Sequence, residues 1–131
     1  MTILVAYVPR PEGQAALDKG IEIAKGNNEN LVVVNASPGG SKEDPSRADV
    51  RDFERVEELL AHTGLKAEVK QFIRGKNAVE EIRALVESLP ASLLVIGLRK
   101  RSPVGKLILG SVAQEILLTV SCPVLAVKSA D

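Results

Sequence analysis

Five short apolar runs, each of strand length, recur along the chain, and they span residues 3–8, 31–36, 67–73, 93–97 and 124–127. All but the third are nearly continuous in Val, Ile, Leu and Ala, as strands covered on both faces require. The third run alternates, because Glu68, Lys70 and Gln71 interrupt its apolar residues. It is therefore predicted to be an edge strand.

Between these runs the apolar residues recur with helical period, which predicts helices over residues 11–25, 50–63, 79–89 and 111–119. Pro11 suits a first turn, and Gly26 follows the predicted end of that helix. Strict alternation of buried strands and helices implies parallel strands joined by right-handed crossovers. The predicted fold class is α/β, a three-layer, doubly wound, five-stranded parallel sheet in the order β-α-β-α-β-α-β-α-β, forming one domain over residues 1–131.

Composition and charge narrow the partners that such a domain can have. The chain has 131 residues, of which 45% are hydrophobic, and 17 Lys and Arg balance 17 Asp and Glu. Balanced charge gives no general attraction to nucleic acid or membrane, so any anion site must be local. No apolar run approaches the roughly 20 residues of a membrane span, and no signal-peptide pattern follows Met1. A cytoplasmic location is expected.

Several kinds of site are excluded by residues that the chain lacks. Its three aromatic residues are too few for a module that stacks single-stranded nucleic acid. Because His62 and Cys122 are the only residues of their types, no zinc site of His and Cys ligands is expected, and a Ser-His-Asp triad would have to use His62, which the pattern places near the end of the second predicted helix. We interpret His62 as a surface residue and Cys122 as a packing thiol.

The segment after the fourth strand, residues 97–111, is the strongest candidate for chemistry. It has glycines, no acid and four basic residues, namely Arg99, Lys100, Arg101 and Lys106, and it leads into a predicted helix. Glycines allow close approach of backbone amides, and a helix N-terminus favours anions, so the pattern suits a polyphosphate. The same pattern also fits two tight turns joined by a solvated basic loop.

The chain also resembles a known family. The ILVAY start at residues 3–7, GSVAQEI at residues 110–116 and CPVLAV at residues 122–127, together with the element order, are similar to the universal stress protein family. Members that bind ATP or AMP carry the pattern G-x2-G-x9-G-[ST] after the fourth strand. Here Gly97, Gly110 and Ser111 match that pattern, whereas Lys100 replaces the second glycine.

The resemblance implies that Gly97, Gly110, Ser111 and the amide of Val112 contact ribose or phosphate. Lys100 either occupies the space of a ribose or phosphate, or neutralises phosphate charge with the neighbouring basic side chains. A second departure follows the first strand, where such relatives carry an Asp for adenine and this chain has Val8, Pro9 and Arg10. Adenine would then rely on apolar contact with Val8 and on backbone near Ala36.

Three functions follow from this sequence. The leading interpretation is a stress-response protein that binds ATP or AMP as a regulatory ligand, with Mg²⁺ accompanying ATP and with at most slow hydrolysis, since the basic loop lacks a general base. The alternative is a nucleotide-independent dimeric interaction protein, in which Val8 and Lys100 mark a degenerate pocket. The third interpretation, an enzyme, is supported only by analogy with other nucleotide-binding α/β folds.

The last predicted strand indicates that two copies of the chain pair with each other. In the family that the chain resembles this strand lies at the sheet edge, where unpaired backbone groups need cover that the short tail after it cannot supply. A two-fold antiparallel pairing of two copies closes such an edge. We therefore expect a homodimer whose interface residues are Pro123, Val124, Leu125, Ala126 and Val127.

Overall fold

A computed structural model describes residues 1–36, 49–72, 78–98 and 111–129, without the side chains of Ala36, Phe72, Ala78, Ser111 and Val112. Strands and helices alternate as predicted from the sequence. The elements are β1 (Thr2–Ala6), α1 (Pro11–Asn27), β2 (Asn30–Ala36), α2 (Val50–Ala61), β3 (Ala67–Phe72), α3 (Ala78–Ser88), β4 (Ala91–Leu98), α4 (Ser111–Thr119) and β5 (Val124–Lys128).

The five strands form one parallel sheet in the order β3-β2-β1-β4-β5. This confirms the predicted α/β class and the parallel sheet. It also confirms that the alternating third strand lies at an edge, and it places β5 at the other edge. β1, the most apolar run, lies in the centre between β2 and β4, where both of its faces are covered.

Two helical layers cover the sheet because neighbouring residues of a strand point to opposite faces. On β1, Ile3 and Val5 pack in the cluster that contains the buried residues of α1 and α2. Leu4 packs in the other cluster, with the buried residues of α3 and α4. Continuous apolar runs are therefore required in the central strands, since each strand supplies residues to two cores.

The strand order changes direction at β1, and the carboxyl edge of an open parallel sheet at such a point is where ligands generally bind. The chain passes from β1 outward to β2 and β3, and it then returns to the other side of β1 to form β4 and β5. α1 leaves β1 over one face of the sheet, whereas α4, which follows β4, lies on the other face. The carboxyl ends of β1 and β4 are therefore adjacent at the point where the strand order reverses.

The end of α1 differs from the prediction. Gly26 lies inside the helix, and the C-cap is Asn28, whose φ of 53° is left-handed and whose N–H donates to the carbonyls of Ala24 and Lys25. Asn tolerates this conformation better than most other residues with a side chain, so it can end a helix as glycine does. The prediction that Gly26 follows the helix was wrong because it considered only glycine.

No helix in the described ranges is long and apolar enough to span a bilayer.

Candidate functional site

The first turn of α1 lies directly on the carboxyl ends of β1 and β4. After β1 the chain turns sharply, and the N–H of Arg10 donates to the carbonyl oxygen of Val8 over 2.8 Å. A side chain at Gly13 would overlap the Val8 carbonyl. A side chain at Gly97 of β4 would likewise overlap the carbonyl oxygen of Glu12. Both glycines are required because helix backbone and strand backbone are in contact here.

A chain of hydrogen bonds links the carboxyl ends of three strands. The buried amide of Asn35 on β2 donates from Nδ2 to the carbonyl oxygen of Tyr7 at 2.9 Å. Gln71 on β3, which lies opposite Asn35 in the sheet register, donates from Nε2 to Asn35 Oδ1 at 3.2 Å. These contacts fix the spacing of β1, β2 and β3 at the carboxyl edge of the sheet.

Arg55 of α2 extends this polar edge. Its Nη2 donates to the hydroxyl oxygen of the buried Tyr7 at 3.0 Å and lies 3.8 Å from Asp52. The hydrogen bond to Tyr7 raises the pKa of Arg55 above its already high ordinary value. Arg55 therefore remains a cation and holds the Tyr7 hydroxyl in place.

One polar side chain at the start of α1 lacks such a partner. Arg10, the N-cap residue of α1, has a buried Nε without a hydrogen-bond partner in the described part of the chain. Glu12, two positions later, is also a buried residue, but its carboxylate oxygens are not buried atoms without a partner. A buried donor is therefore left unsatisfied where α1 meets β1 and β4.

The structure brings together only part of the set predicted from the sequence. Val8 follows β1 and is half-buried, and Gly97 lies near the end of β4, with the first turn of α1 touching both. Ala36 ends β2, and Ser111 and Val112 begin α4, so all three lie at the termini that parallel topology directs to this edge. The remaining predicted site residues, Arg99, Lys100, Arg101, Lys106 and Gly110, lie outside the described residues.

Sequence reasoning missed Arg10, Glu12 and Asn35. Asn35 is a polar residue inside the apolar run of β2, and that interruption was a usable signal. Sequence reasoning considered Arg10 only as part of the segment that lacks the Asp found in nucleotide-binding relatives. Glu12 resembles an ordinary acid in a first helical turn, and nothing in the sequence shows that it is buried.

The remaining candidates lie away from this edge or offer little chemistry. Cys122 is half-buried beside the core, and burial raises the pKa of its thiol, so it is less reactive than a free cysteine. A groove of about 330 Å³ lies between α2 and the start of β3, at the opposite end of the strands, and residues from Glu57 to Val69 line it. Within the described ranges, no group of three His, Cys, Asp or Glu side chains could hold a metal ion.

Comparison with known proteins supports this topology. A model of the universal stress protein family matches residues 1–128. A universal stress protein of Mycolicibacterium smegmatis is 45% identical over 126 residues, which cover 96% of this chain and 96% of that protein.

Two solved structures from Archaeoglobus fulgidus are similar over nearly their whole length. A universal stress protein has a TM-score of 0.79 at 28% identity, with 97% of each chain covered. A second structure, of the universal stress protein in complex with dAMP, has a TM-score of 0.73 at 21% identity, covering 97% of this chain and 96% of that one. The second comparison shows a shared fold.

Proposed function

The chain belongs to the universal stress protein family, and from that membership we propose that it is a cytoplasmic stress-response protein that binds an adenine nucleotide as a regulatory ligand. The ligand is AMP, or ATP with its Mg²⁺. It lies in the crevice between the carboxyl ends of β1 and β4. Its phosphates face the start of α4 at Ser111 and the basic residues that follow β4.

The unpaired Nε of Arg10 is the observation that carries this proposal. Arg10 lies at the N-cap of α1, beside the carboxyl end of β1, and its Nε is buried without a partner in the described part of the chain. A buried donor without an acceptor is costly, and a guanidinium is always charged and donates only. A ligand with phosphate or other acceptor oxygens would supply what Arg10 lacks.

The surroundings of Arg10 support the same ligand. A crevice at the point where the strand order reverses is where open parallel sheets bind their ligands. The N-termini of α1 and α4 both follow strands that end at this edge, and helix N-termini favour anions. The relative with dAMP bound has the same fold.

Calorimetry with AMP and with ATP plus Mg²⁺ at low salt tests this proposal. We expect binding at millimolar ligand or tighter, and affinity should fall as salt rises because the attraction is local and electrostatic. Arg10→Met should weaken binding about tenfold, since a charged hydrogen bond is lost. Arg83→Met, which removes an exposed arginine of α3, is the matched control and should bind as the wild type does.

Absence of binding at millimolar ligand would contradict the proposal and favour the nucleotide-independent interaction protein. Equal binding by Arg10→Met and the wild type would place the site elsewhere.

For assembly, we propose a homodimer through residues 123–127. β5 is an edge strand, and its residues Val124 to Val127 are only partly buried in one copy. α4 covers the face to which Val124 and Ala126 contribute, and its Leu118 is 84% exposed. A two-fold axis perpendicular to the sheet would pair β5 with its copy and bring the two α4 helices to the same face.

A further inference from the structure

Two hydrogen bonds to β2 hold the backbone of Tyr7 at the end of β1. The N–H of Tyr7 donates to the carbonyl oxygen of Val34 at 2.8 Å, which extends the ladder between the two strands by one bond. The carbonyl oxygen of Tyr7 accepts from Nδ2 of Asn35 at 2.9 Å. The Tyr7 carbonyl therefore points toward β2.

The next N–H along the chain, that of Val8, must point the opposite way. The described residues contain no cis peptide bond, and in a planar trans peptide the C=O and the following N–H point in opposite directions. β2 and β4 lie on opposite sides of β1. The N–H of Val8 is therefore directed toward β4, on the side where the strand order reverses.

The sheet does not supply an acceptor for this N–H. β1 pairs with β4 only as far as Val5 and Val95, whereas β4 continues beside β5 to Leu98. Among the described residues, the backbone of Val8 makes one hydrogen bond, in which its carbonyl oxygen accepts from the N–H of Arg10. Val8 is half-buried, so its N–H is a backbone donor that water or a ligand must satisfy.

Asn35 gives this donor its fixed direction. The residue is 1% exposed inside an otherwise apolar strand, and a buried amide costs free energy unless it is hydrogen-bonded. The Tyr7 carbonyl can only accept, so the NH₂ end of the amide faces it, while Oδ1 accepts from Gln71 at 3.2 Å. A side chain anchored at both ends thus sets the orientation of the peptide between Tyr7 and Val8.

We propose that the N–H of Val8 donates a hydrogen bond to a ring nitrogen of the adenine base, and that Asn35 is the positioning residue that directs it. This inference rests on the proposed nucleotide binding. The base is the part of the ligand that suits Val8, because an uncharged donor and an apolar side chain on one residue match a flat ring with acceptor nitrogens. The phosphates are served by charged groups elsewhere in the proposed site.

Hydrogen exchange of the Val8 amide, followed by NMR, tests the donor directly. Saturating AMP should slow the exchange of this amide about tenfold or more, because the N–H gains an acceptor. Adenosine, which lacks the phosphate, should slow it in the same way. Ribose 5-phosphate, which lacks the base, should leave it unchanged.

Calorimetry with the same three compounds tests Asn35. Asn35→Leu keeps a side chain of similar size without the donor, so the affinity for AMP and adenosine should fall about fivefold, the usual effect of one hydrogen bond between neutral groups. The affinity for ribose 5-phosphate should stay the same. The slowing of the Val8 amide by AMP should be lost in this variant.

Ser92→Ala is the matched control. Ser92 Oγ donates to the carbonyl oxygen of Thr2 at 3.3 Å, so it also bonds a side chain to the backbone of β1, but at the amino end of the strand. This variant should keep the wild-type affinities and the slowing of the Val8 amide, even if it unfolds at a lower temperature.

Should Asn35→Leu not fold, two changes at Val8 provide the same test. Val8→Pro removes the N–H, whereas Val8→Ala keeps the N–H and removes most of the side chain. Relative to ribose 5-phosphate, adenosine should bind more weakly to Val8→Pro than to Val8→Ala.

Three outcomes overturn the inference. The first is a Val8 amide whose exchange does not change at saturating AMP. The second is equal slowing by ribose 5-phosphate, which would assign the N–H to ribose or phosphate. The third is an Asn35→Leu variant that keeps the wild-type affinities, or that loses affinity for adenosine and ribose 5-phosphate equally, as a purely structural residue would. Absence of all nucleotide binding overturns the proposed function as well, whereas AMP binding without a response of the Val8 amide overturns this inference alone.

Discussion

A glycine at position 97 can be explained in two ways, by ligand binding or by packing. The family pattern assigns it to the nucleotide, because a glycine allows backbone to approach ribose and phosphate. In the structure its missing side chain already leaves room for the carbonyl oxygen of Glu12, so the packing of α1 on β4 requires glycine whether or not a ligand is bound. A matching glycine is therefore weaker support for a nucleotide site than the unpaired Nε of Arg10.

Gly97→Ala should lower the free energy of unfolding by about 1–3 kcal/mol, because the added methyl group meets backbone that cannot rotate away. Gly26→Ala in α1 is the matched control. No atom lies within 4 Å of the position of a Cβ there, and alanine should stabilise the helix by about 0.5–1 kcal/mol. Urea denaturation measures both. Equal stability of the two variants would mean that α1 does not touch β4 as described.

Helix α2 begins with two reciprocal capping hydrogen bonds, and these bonds make its stability depend on pH in the acid range. Asp49 accepts from the backbone N–H of Asp52 at 2.9 Å, and Asp52 Oδ2 accepts from the backbone N–H of Asp49 at 2.9 Å. The bond from the Asp52 N–H lowers the pKa of Asp49 below its ordinary value of 3.8. The charged carboxylate is thus the form that caps the helix.

The unfolding temperature should fall more steeply with acid in the wild type than in Asp49→Asn. A lowered pKa means that Asp49 stabilises the fold fully above pH 3.8, and that this contribution disappears as pH falls through the folded value. The Asn oxygen accepts the same bond at every pH, so the variant lacks this part of the acid response. Thermal scans between pH 2 and 5 measure the difference.

Asp18→Asn is the control, because the Asp18 carboxylate accepts from the side chain of Gln14 rather than from a helix N-terminus. It should keep the wild-type dependence on acid. Identical acid dependence in the wild type and Asp49→Asn would show that the cap does not contribute to stability.

At the scale of the whole molecule, successive residues of β5 direct their backbone N–H and C=O groups alternately toward β4 and away from the sheet. Pro123 accepts from the N–H of Leu94 at 3.0 Å, and the N–H of Ser129 donates to Leu98 at 3.2 Å. Because strand residues alternate, the odd-numbered positions bond to β4, and positions 124, 126 and 128 direct their N–H and C=O groups away from the sheet. These outward groups are the ones that a second copy would pair.

Ala126→Pro should prevent the proposed dimer from forming and leave a folded monomer. Proline removes the outward N–H of residue 126 and leaves the bonds between β4 and β5 intact, as proline does at sheet edges. Sedimentation at micromolar concentration measures the state of assembly. Val127→Pro is the contrasting control, because it removes an inward N–H and should damage the sheet itself. A monomeric wild type, or a dimeric Ala126→Pro variant, would contradict the assembly through β5.

The sequence by itself determined the class of the fold. The apolar runs of β1, β2 and β4 require cover on both faces, and this together with alternating helices leaves few topologies other than a doubly wound parallel sheet. The polar residues of β3 likewise predicted its edge position. These features are readable because each depends on periodicity and composition within one segment.

Only the tertiary structure decided which residues are unsatisfied and which glycines are in contact with neighbours. Arg10 resembles an ordinary turn residue, and the lack of a partner for its Nε is a property of the space around it. The clash that a side chain at Gly97 would cause comes from α1, some 85 positions earlier in the chain. Burial and hydrogen bonding depend on residues that are distant in sequence, so a local pattern predicts where a site lies but not which side chains complete it.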